Sequence, residues 1–269
     1  MTATVAVIVS TYNAHEYLAR VLKGYLVQTR EPDELIVADD GSDHRTAEVV
    51  SKFASKADFP IRHVWQEDLG FRLAKIRNES VKATSAQYLI FTDGDCVAHR
   101  RFVEDHIRVM QPGYFVQGKR MLVSRRASTS FSYPGLRKLF WMCLRGEISG
   151  RHHLLRIPGV TVRKKKLAGI KGNNLAMYRQ DFLAVNGFNE DFVGWGREDS
   201  ELAVRLFKYG LKRKDVPLSA IVFHLWHEPG SNEFLERNDM LLAKAIKSSS
   251  FYCKNGICKD NEVFYESSS

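Results

Sequence analysis

The sequence predicts an α/β fold: a mixed, mostly parallel sheet flanked by helices and interrupted by one basic inserted segment. Three observations carry that reading. Short apolar runs end abruptly in polar or acidic turns, segments with apolar residues at helical spacing alternate with them, and positive charge is concentrated where the alternation stops. Strands alternating with helices imply right-handed βαβ units and parallel pairing. With 269 residues, 44% apolar and 26% charged, the chain is ample for a core.

The first run, Val5-Ala6-Val7-Ile8-Val9, reads as a strand covered on both faces. It stops at Ser10-Thr11-Tyr12-Asn13, after which Tyr17, Leu18, Val21, Leu22, Tyr25 and Leu26 recur at helical spacing. A second strand, Leu35 to Ala38, runs into Asp39-Asp40-Gly41-Ser42. A helix over Thr46 to Phe53, a strand over Ile61 to Trp65 and a helix over Leu73 to Ala83 follow. The next strand, Tyr88 to Thr92, delivers Asp93-Gly94-Asp95, and Phe102, Val103, His106, Ile107 and Met110 mark an amphipathic helix closed by Pro112-Gly113. From Met121 to Gly172 hydrophobicity is irregular, which predicts an inserted, partly mobile region. Order resumes with a strand at Asn174 to Tyr178, a short helix at Asp181 to Val185, and a helix that opens at Glu198 and stops at Gly210. A last strand, Ala220 to His224, precedes a tail read as one helix and a polar, weakly ordered end; no internal repeat is visible.

No amino-terminal segment has signal-peptide character, and the densest apolar cluster, Leu139 to Leu144, is far below spanning length. The expectation is a cytoplasmic protein. Cys96, Cys143, Cys253 and Cys258 fit no metal spacing and read as reduced thiols. The net charge of +9 is uneven: residues 118–171 hold fourteen Lys or Arg and one acid, Glu147, for a local +13 against −4 elsewhere. With Phe131, Tyr133, Phe140 and Trp141 interleaved, such a segment suits nucleic acid, an anionic membrane face or an acidic substrate, or is a solvated loop. It contains no recognition-helix, zinc or aromatic-platform motif, which argues against nucleic acid.

Three acidic clusters follow strands or open helices: Asp39 with Asp40, Asp93 with Asp95, and Glu198 with Asp199. Paired Asp oxygens at a sheet's carboxyl edge suit a hard divalent cation that keeps positions for phosphate oxygens, although an Asp-Gly turn alone has the same sequence. His224 and His227 at the end of the last strand have a spacing that lets two imidazoles approach one ion. Imidazole with carboxylate tolerates Mn²⁺ better than Mg²⁺. Glu198 and Asp199 sit where a helix dipole stabilises negative charge, and capping alone would also account for Glu198.

Taken in order, Val7-Ile8-Val9-Ser10-Thr11-Tyr12-Asn13, Ala38-Asp39-Asp40-Gly41-Ser42, Thr92-Asp93-Gly94-Asp95 and Gly194-Trp195-Gly196-Arg197-Glu198-Asp199 resemble the family-2 glycosyltransferases of the GT-A (Rossmann-like) fold. The last motif resembles the galactosyltransferase and chondroitin-polymerase type. The resemblance covers about the first 230 residues. It implies a GT-A domain over residues 1–230, divided into a nucleotide-binding half (1–118) and an acceptor-side half with the basic insertion (119–230), and a carboxyl-terminal helix and tail (231–269).

By that resemblance Thr11, Tyr12, Asp40, Arg77 and Asp93 hold the nucleotide, with Arg77 or Arg72 pairing the diphosphate or Asp95. Asp95 with His224 or His227 binds Mn²⁺ (or Mg²⁺). Asp199 is the base, and Trp195, Glu198 and Asn174 contact acceptor or donor sugar. The implied activity is inverting, metal-dependent sugar transfer from a nucleotide sugar, UDP-linked rather than GDP-linked because Asp40 matches the uracil position. The acceptor is a glycan or lipid-linked glycan in surface polysaccharide or lipopolysaccharide synthesis. The basic segment then predicts peripheral attachment to an anionic membrane surface, the inner face of the cell membrane. Two other readings are a sugar-1-phosphate nucleotidyltransferase, whose glycine- and lysine-rich loop is replaced here by Ser10-Thr11-Tyr12-Asn13, and a basic nucleic-acid-binding protein.

Overall fold

The computed structural model describes residues 3–150, 156–228 and 230–259. Arg151 of the basic segment and the last ten residues of the expected tail lie outside the described residues. The first strands are β1 (Val5–Thr11), β2 (Glu34–Asp39), β3 (Ile61–Trp65) and β4 (Tyr88–Asp93). They are linked by helices α1 (His15–Tyr25), α2 (His44–Ala54) and α3 (Leu73–Lys82). All pair in parallel in the order β3-β2-β1-β4. Every residue of β1 is buried. Val5, Val7 and Val9 face one apolar cluster with α1, while Ala6 and Ile8 face another with α3, so the continuous apolar run follows from helices on both faces. Each valine or isoleucine among them contributes about 1.5–3 kcal/mol on burial.

Past β4 the chain departs from simple alternation. It forms β5 (Cys96–Ala98), α4 (Phe102–Val109), β6 (Tyr114–Gln117) and β7 (Lys119–Leu122). Next come α5 (Arg125–Ser128), α6 (Leu136–Leu144) and β8 (Val162–Lys164). The chain continues through β9 (Asn174–Tyr178), α7 (Arg179–Ala184), α8 (Glu198–Tyr209), β10 (Lys212–Asp215), β11 (Ile221–His224) and α9 (Leu235–Lys247). The main sheet extends as β4-β9-β6-β10-β8, in which β9 runs antiparallel to both neighbours. The expected last strand does not join it. β11 lies in a separate sheet of order β5-β11-β7, because Ala220 turns the chain with φ of 49°.

Three expectations need correction. Residues 212–215, Lys-Arg-Lys-Asp, showed no strand signal, yet they form β10 with Arg213, Lys214 and Asp215 all buried. Arg213 and Asp215 are buried as ion pairs, Asp215 receiving Arg213 Nε at 2.6 Å, Lys119 Nζ at 2.9 Å and Lys164 Nζ at 2.8 Å, while Lys214 Nζ donates to Val109 O at 3.2 Å and Gln111 Oε1 at 2.5 Å. The basic segment is accordingly not all insertion, since β7 and β8 are sheet strands and Arg156 pairs with buried Asp105 at 2.5 Å. The tail is also better ordered than its composition implied. After α9, Cys253 and Ile257 are buried, and Asn186 Nδ2 donates to the carbonyls of Cys253 (2.5 Å) and Cys258 (2.9 Å).

Asn174, expected to contact sugar, is instead 1% exposed at the junction of the two sheets. Its Nδ2 donates to the carbonyls of Lys119 (3.0 Å) and Ala220 (2.8 Å), and its Oδ1 meets His106 Nε2 at 3.0 Å. Gly118 lies so close that a Cβ there would fall 2.2 Å from Asn174 Oδ1. The amide is therefore a strut between β7, β11 and α4. Asn174→Leu keeps the branched shape and removes these bonds, so urea unfolding should show a loss of roughly 2–4 kcal/mol. A variant as stable as the native chain would contradict the strut.

Candidate functional site

Strand register brings the acidic turns together. In the pairing of β1 with its neighbours, Ser10 lies beside Asp93 and Thr11 beside Asp39, so the polar ends of β1, β2 and β4 share one carboxyl edge where the strand order reverses. Gly94 N donates to Ser10 O at 2.6 Å. A Cβ on Gly94 would stand 3.0 Å from Ser10 O and Thr11 Oγ1, so the residue between the two aspartates has little room for a side chain.

The second sheet adds imidazoles. β11 pairs with β5 so that His224 opposes Cys96, and Leu225 N donates to Asp95 O at 2.9 Å. His227 Nε2 then lies 3.0 Å and His224 Nε2 3.5 Å from Asp95 Oδ2. One ligand atom from each of the three residues falls within 4.8 Å of the others, a donor set that fits one divalent ion. Asp93, Asp95 and Cys96 form an overlapping group, but burial raises the Cys96 thiol well above its ordinary range, which disfavours the thiolate a metal needs. The hydrogen bond that its Nε2 donates to Asp95 raises His227 to about 9. Burial lowers His224. Burial alone would raise Asp95, yet the His227 hydrogen bond and the His224 charge outweigh it and hold the carboxyl below its usual range.

Arg77, on α3, joins this edge to α8. Only 1% exposed, it donates through Nη2 to Asp93 Oδ1 at 2.8 Å and through Nε to Ser10 Oγ at 3.0 Å. Its Nη1 stands 3.7 Å from Glu198 Oε1, too far for a hydrogen bond. In the structure Arg77 pairs with Asp93 and not with Asp95, while Glu198 stands nearby. Arg72 differs as well, donating its backbone N to Asp40 Oδ2 at 2.7 Å. Burial pushes Asp93 up, Arg77 pulls it back and Asp95 adds to the rise, leaving it at about 6. Burial, then the Asp199 charge, push Glu198 up to about 7 against the pull of Arg77. Glu198 Oε2 and Arg77 Nη1 are buried without hydrogen-bond partners among the described residues.

Asp199 beside it is better satisfied. Its Oδ2 accepts Gly172 N at 2.7 Å and its Oδ1 accepts Ser200 N at 2.6 Å. The preceding loop is bent by left-handed residues at Gly194 (φ 73°), Gly196 (φ 103°) and Arg197 (φ 81°). For arginine that conformation costs about 1–3 kcal/mol. Trp195, between the glycines, is 54% exposed.

On the nucleotide side, Tyr12 is half exposed and donates its hydroxyl to Asp68 Oδ2 at 2.9 Å, while Thr11 Oγ1 is buried and unpartnered. Asp40 is 3% exposed, and both its oxygens are engaged, one by the Gln66 amide and one by Arg72 N. Each of these oxygens keeps a further lone pair that could accept from a base. Sequence reasoning missed Gln66, Asp68 and Gly172. A Cβ on Gly172 would press on Arg77 Nη1 at 2.9 Å, and the only trace in sequence is a glycine beside Asn173-Asn174 at the end of the basic segment.

Comparison with known proteins agrees with this geometry. Residues 6–168 match the description "Glycosyl transferase family 2", and residues 155–228 match "N-terminal domain of galactosyltransferase". Validoxylamine A glucosyltransferase of Streptomyces hygroscopicus subsp. limoneus is 31% identical over 224 residues, covering 77% of this chain and 48% of that protein. Chondroitin synthase of Escherichia coli is 24% identical, covering 85% of this chain and 35% of that protein. The chain thus spans about half the length, or less, of these relatives. Among solved structures, S. aureus TarS 1-349 aligns with TM-score 0.63 at 17% identity, covering 90% of this chain and 65% of that one. The mannosyltransferase PcManGT from Pyrobaculum calidifontis, in complex with GDP-Man and Mn²⁺, aligns with TM-score 0.62 at 20% identity over 92% of this chain and 65% of that one. With the mixed sheet and acidic carboxyl edge of the GT-A fold and a family match over more than half its length, the chain belongs to glycosyl transferase family 2.

Proposed function

We propose that the chain is an inverting hexosyltransferase that moves a sugar from a UDP-sugar to a glycan or glycolipid acceptor in surface polysaccharide or lipopolysaccharide synthesis. The observation that carries this reading is the convergence of Asp95, His224 and His227 at one end of a carboxyl edge whose other end holds Glu198 and Asp199. Validoxylamine A glucosyltransferase and chondroitin synthase, by their names, both build glycosidic or polysaccharide products, and TarS has been solved with UDP, which supports the nucleotide-sugar donor.

Asp95, His224 and His227 would hold Mn²⁺ or Mg²⁺. A divalent cation there supplies positive charge to the departing diphosphate. Ligation requires His227 neutral, so loading the site releases its proton. Thr11 and Tyr12 line the base side, with Asp40, whose backbone N donates to Thr11 O at 3.0 Å, beside them. Asp199, oriented by Gly172 N and Ser200 N, takes the proton of the acceptor hydroxyl. The acceptor oxygen attacks the anomeric carbon from the face opposite the diphosphate, and the carbon–oxygen bond to the diphosphate breaks, inverting that centre. Glu198 Oε2 and Arg77 Nη1, buried and unpartnered, are the polar atoms a sugar hydroxyl would satisfy, and exposed Trp195 offers a flat apolar face to a sugar ring.

A membrane-facing acceptor is supported by α6. Its buried side, Leu139, Met142 and Cys143, packs inward, while Phe140, Trp141 and Leu144 are each more than half exposed beside exposed Arg137, Lys138 and Arg145. Exposed apolar and basic residues on one short helix suit shallow insertion into an anionic bilayer, the inner face of the cell membrane in this reading. No helix among the described residues is long and apolar enough to cross a membrane.

Three measurements test the proposal. Asp95→Ala and the double variant His224→Ala/His227→Ala should lose Mn²⁺-dependent UDP binding in calorimetry while melting as the native chain does; undiminished binding in EDTA would sink the cation site. Asp199→Asn should lower turnover by roughly 10²–10⁴ with UDP affinity little changed, whereas equal loss of UDP affinity would make it a binding residue. Sedimentation with phosphatidylglycerol vesicles should be strong at low salt, mostly lost at high salt, and weakened by Phe140→Ser/Trp141→Ser. The helix is the better target than Lys164, whose reversal would break the ion cluster on buried Asp215.

A further inference from the structure

The loop that carries Trp195 and leads into Glu198 and Asp199 has few backbone bonds of its own. Its regular ties are Gly194 N to Phe71 O at 3.0 Å and Glu201 N to Arg197 O at 2.9 Å, and three of its residues are left-handed. What fixes it comes from α9, which lies beyond the residues matched by either family description. Asn238, fully buried, donates through Nδ2 to the carbonyls of Val193 (3.1 Å) and Trp195 (3.4 Å). The neighbouring Asp239 accepts Arg197 Nε at 2.5 Å, holding the one non-glycine left-handed residue of the loop. Phe234 fills the space a side chain at Gly194 would need, 2.5 Å from the position of a Cβ, and Leu235 does the same at Gly196, 3.3 Å away. The far end of α9 is fixed to the same helix the loop opens: Lys208, near the end of α8, donates to the carbonyls of Ala245, Ile246 and Ser248. α9 therefore runs alongside α8 start to start and end to end, with its first turns against the loop.

We propose that α9 is a positioning element for the reaction, and that Asn238 and Asp239 are positioning residues that hold Trp195 and the Glu198-Asp199 pair in place through the backbone of residues 193–197. The proposal rests on the reading of Asp199 as the base. Neither residue touches substrate. Asn238 ties two carbonyls flanking Gly194, which removes freedom from a segment with no ladder or helix to hold it, and the Arg197 pair sets where α8 begins. A misplacement of about 1 Å at a reacting group is enough to lower turnover strongly, while the nucleotide side is built on separate strands, β1, β2 and β4.

Asn238→Ala and Asp239→Ala should each lower UDP release from UDP-glucose or UDP-N-acetylglucosamine with Mn²⁺ by at least about tenfold, with Mn²⁺-dependent UDP affinity unchanged within about twofold. Asp239→Glu should restore most of the loss. In protein labelled with 5-fluorotryptophan, the fluorine resonance that vanishes in Trp195→Phe should shift or broaden in both alanine variants, while those of Trp65 and Trp141 stay in place. Variants that melt lower yet keep native turnover and an unmoved Trp195 resonance would reduce α9 to packing and overturn the proposal. Native turnover in Asp199→Asn would overturn the reading of the base instead, and the Trp195 resonance alone would then decide whether α9 holds the loop.

Discussion

The buried guanidinium of Arg77 is the interaction on which the candidate site depends. It stands between Asp93, at the end of β4, and Glu198, at the start of α8, with Ser10 of β1 beneath it and the Phe188 ring 5.2 Å from its centre. A charge taken out of water is tolerated only where partners compensate it, and loss of one partner costs several kcal/mol. Asp93 and Glu198 belong to elements more than a hundred residues apart in sequence, so the pair fastens the parallel half of the sheet to α8. A side chain at Gly172 would press on the guanidinium, and the glycine's N–H serves Asp199.

Much of this was legible in the chain. β1 to β4 and the helices between them came from apolar runs and spacing; β1, β2 and β4 are covered on both faces and their composition says so, while β3, at the sheet edge, is only partly covered. The acidic turns and the two histidines were visible as residues, and β4 and β11 had been placed at the right positions. What could not be read was that β11 leaves the main sheet. That depends on Ala220's left-handed turn and on pairing with β5 and β7, strands of three and four residues without a distinctive pattern. β10 was missed for a related reason: Lys-Arg-Lys-Asp looks like a solvated turn until Lys119, Lys164 and Arg213 are seen to share Asp215.

Asn174 and Arg77 show how residue type misleads when burial is unknown. An asparagine near an expected sugar pocket has the right donors and acceptors for a hydroxyl, and here they are used up by two carbonyls and an imidazole. An arginine near an expected diphosphate has the right charge, and here two of its nitrogens already serve Asp93 and Ser10. In both cases the distinguishing fact is solvent exposure of 1%, which no local sequence window contains. The large positive charge of the basic segment divides in the same way: Lys119, Arg156 and Lys164 neutralise buried acids, and Arg137, Lys138 and Arg145 remain at the surface of α6.

The charge balance of the edge itself explains why the histidines matter. Asp93, Asp95, Glu198 and Asp199 gather around one buried arginine, an excess of negative charge that burial makes more costly. The chain lessens it in two ways. Burial raises Glu198 to about 7 and Asp93 to about 6, which lets those carboxyls hold protons near neutrality. Asp95 does the opposite, kept ionised by His224 and His227 from the second sheet. The edge is therefore graded, with a fixed anion beside two imidazoles at one end and proton-sharing acids around Arg77 at the other. That gradation separates an ionised carboxylate flanked by imidazoles, Asp95, from the raised carboxyls of Asp93 and Glu198 beside Arg77.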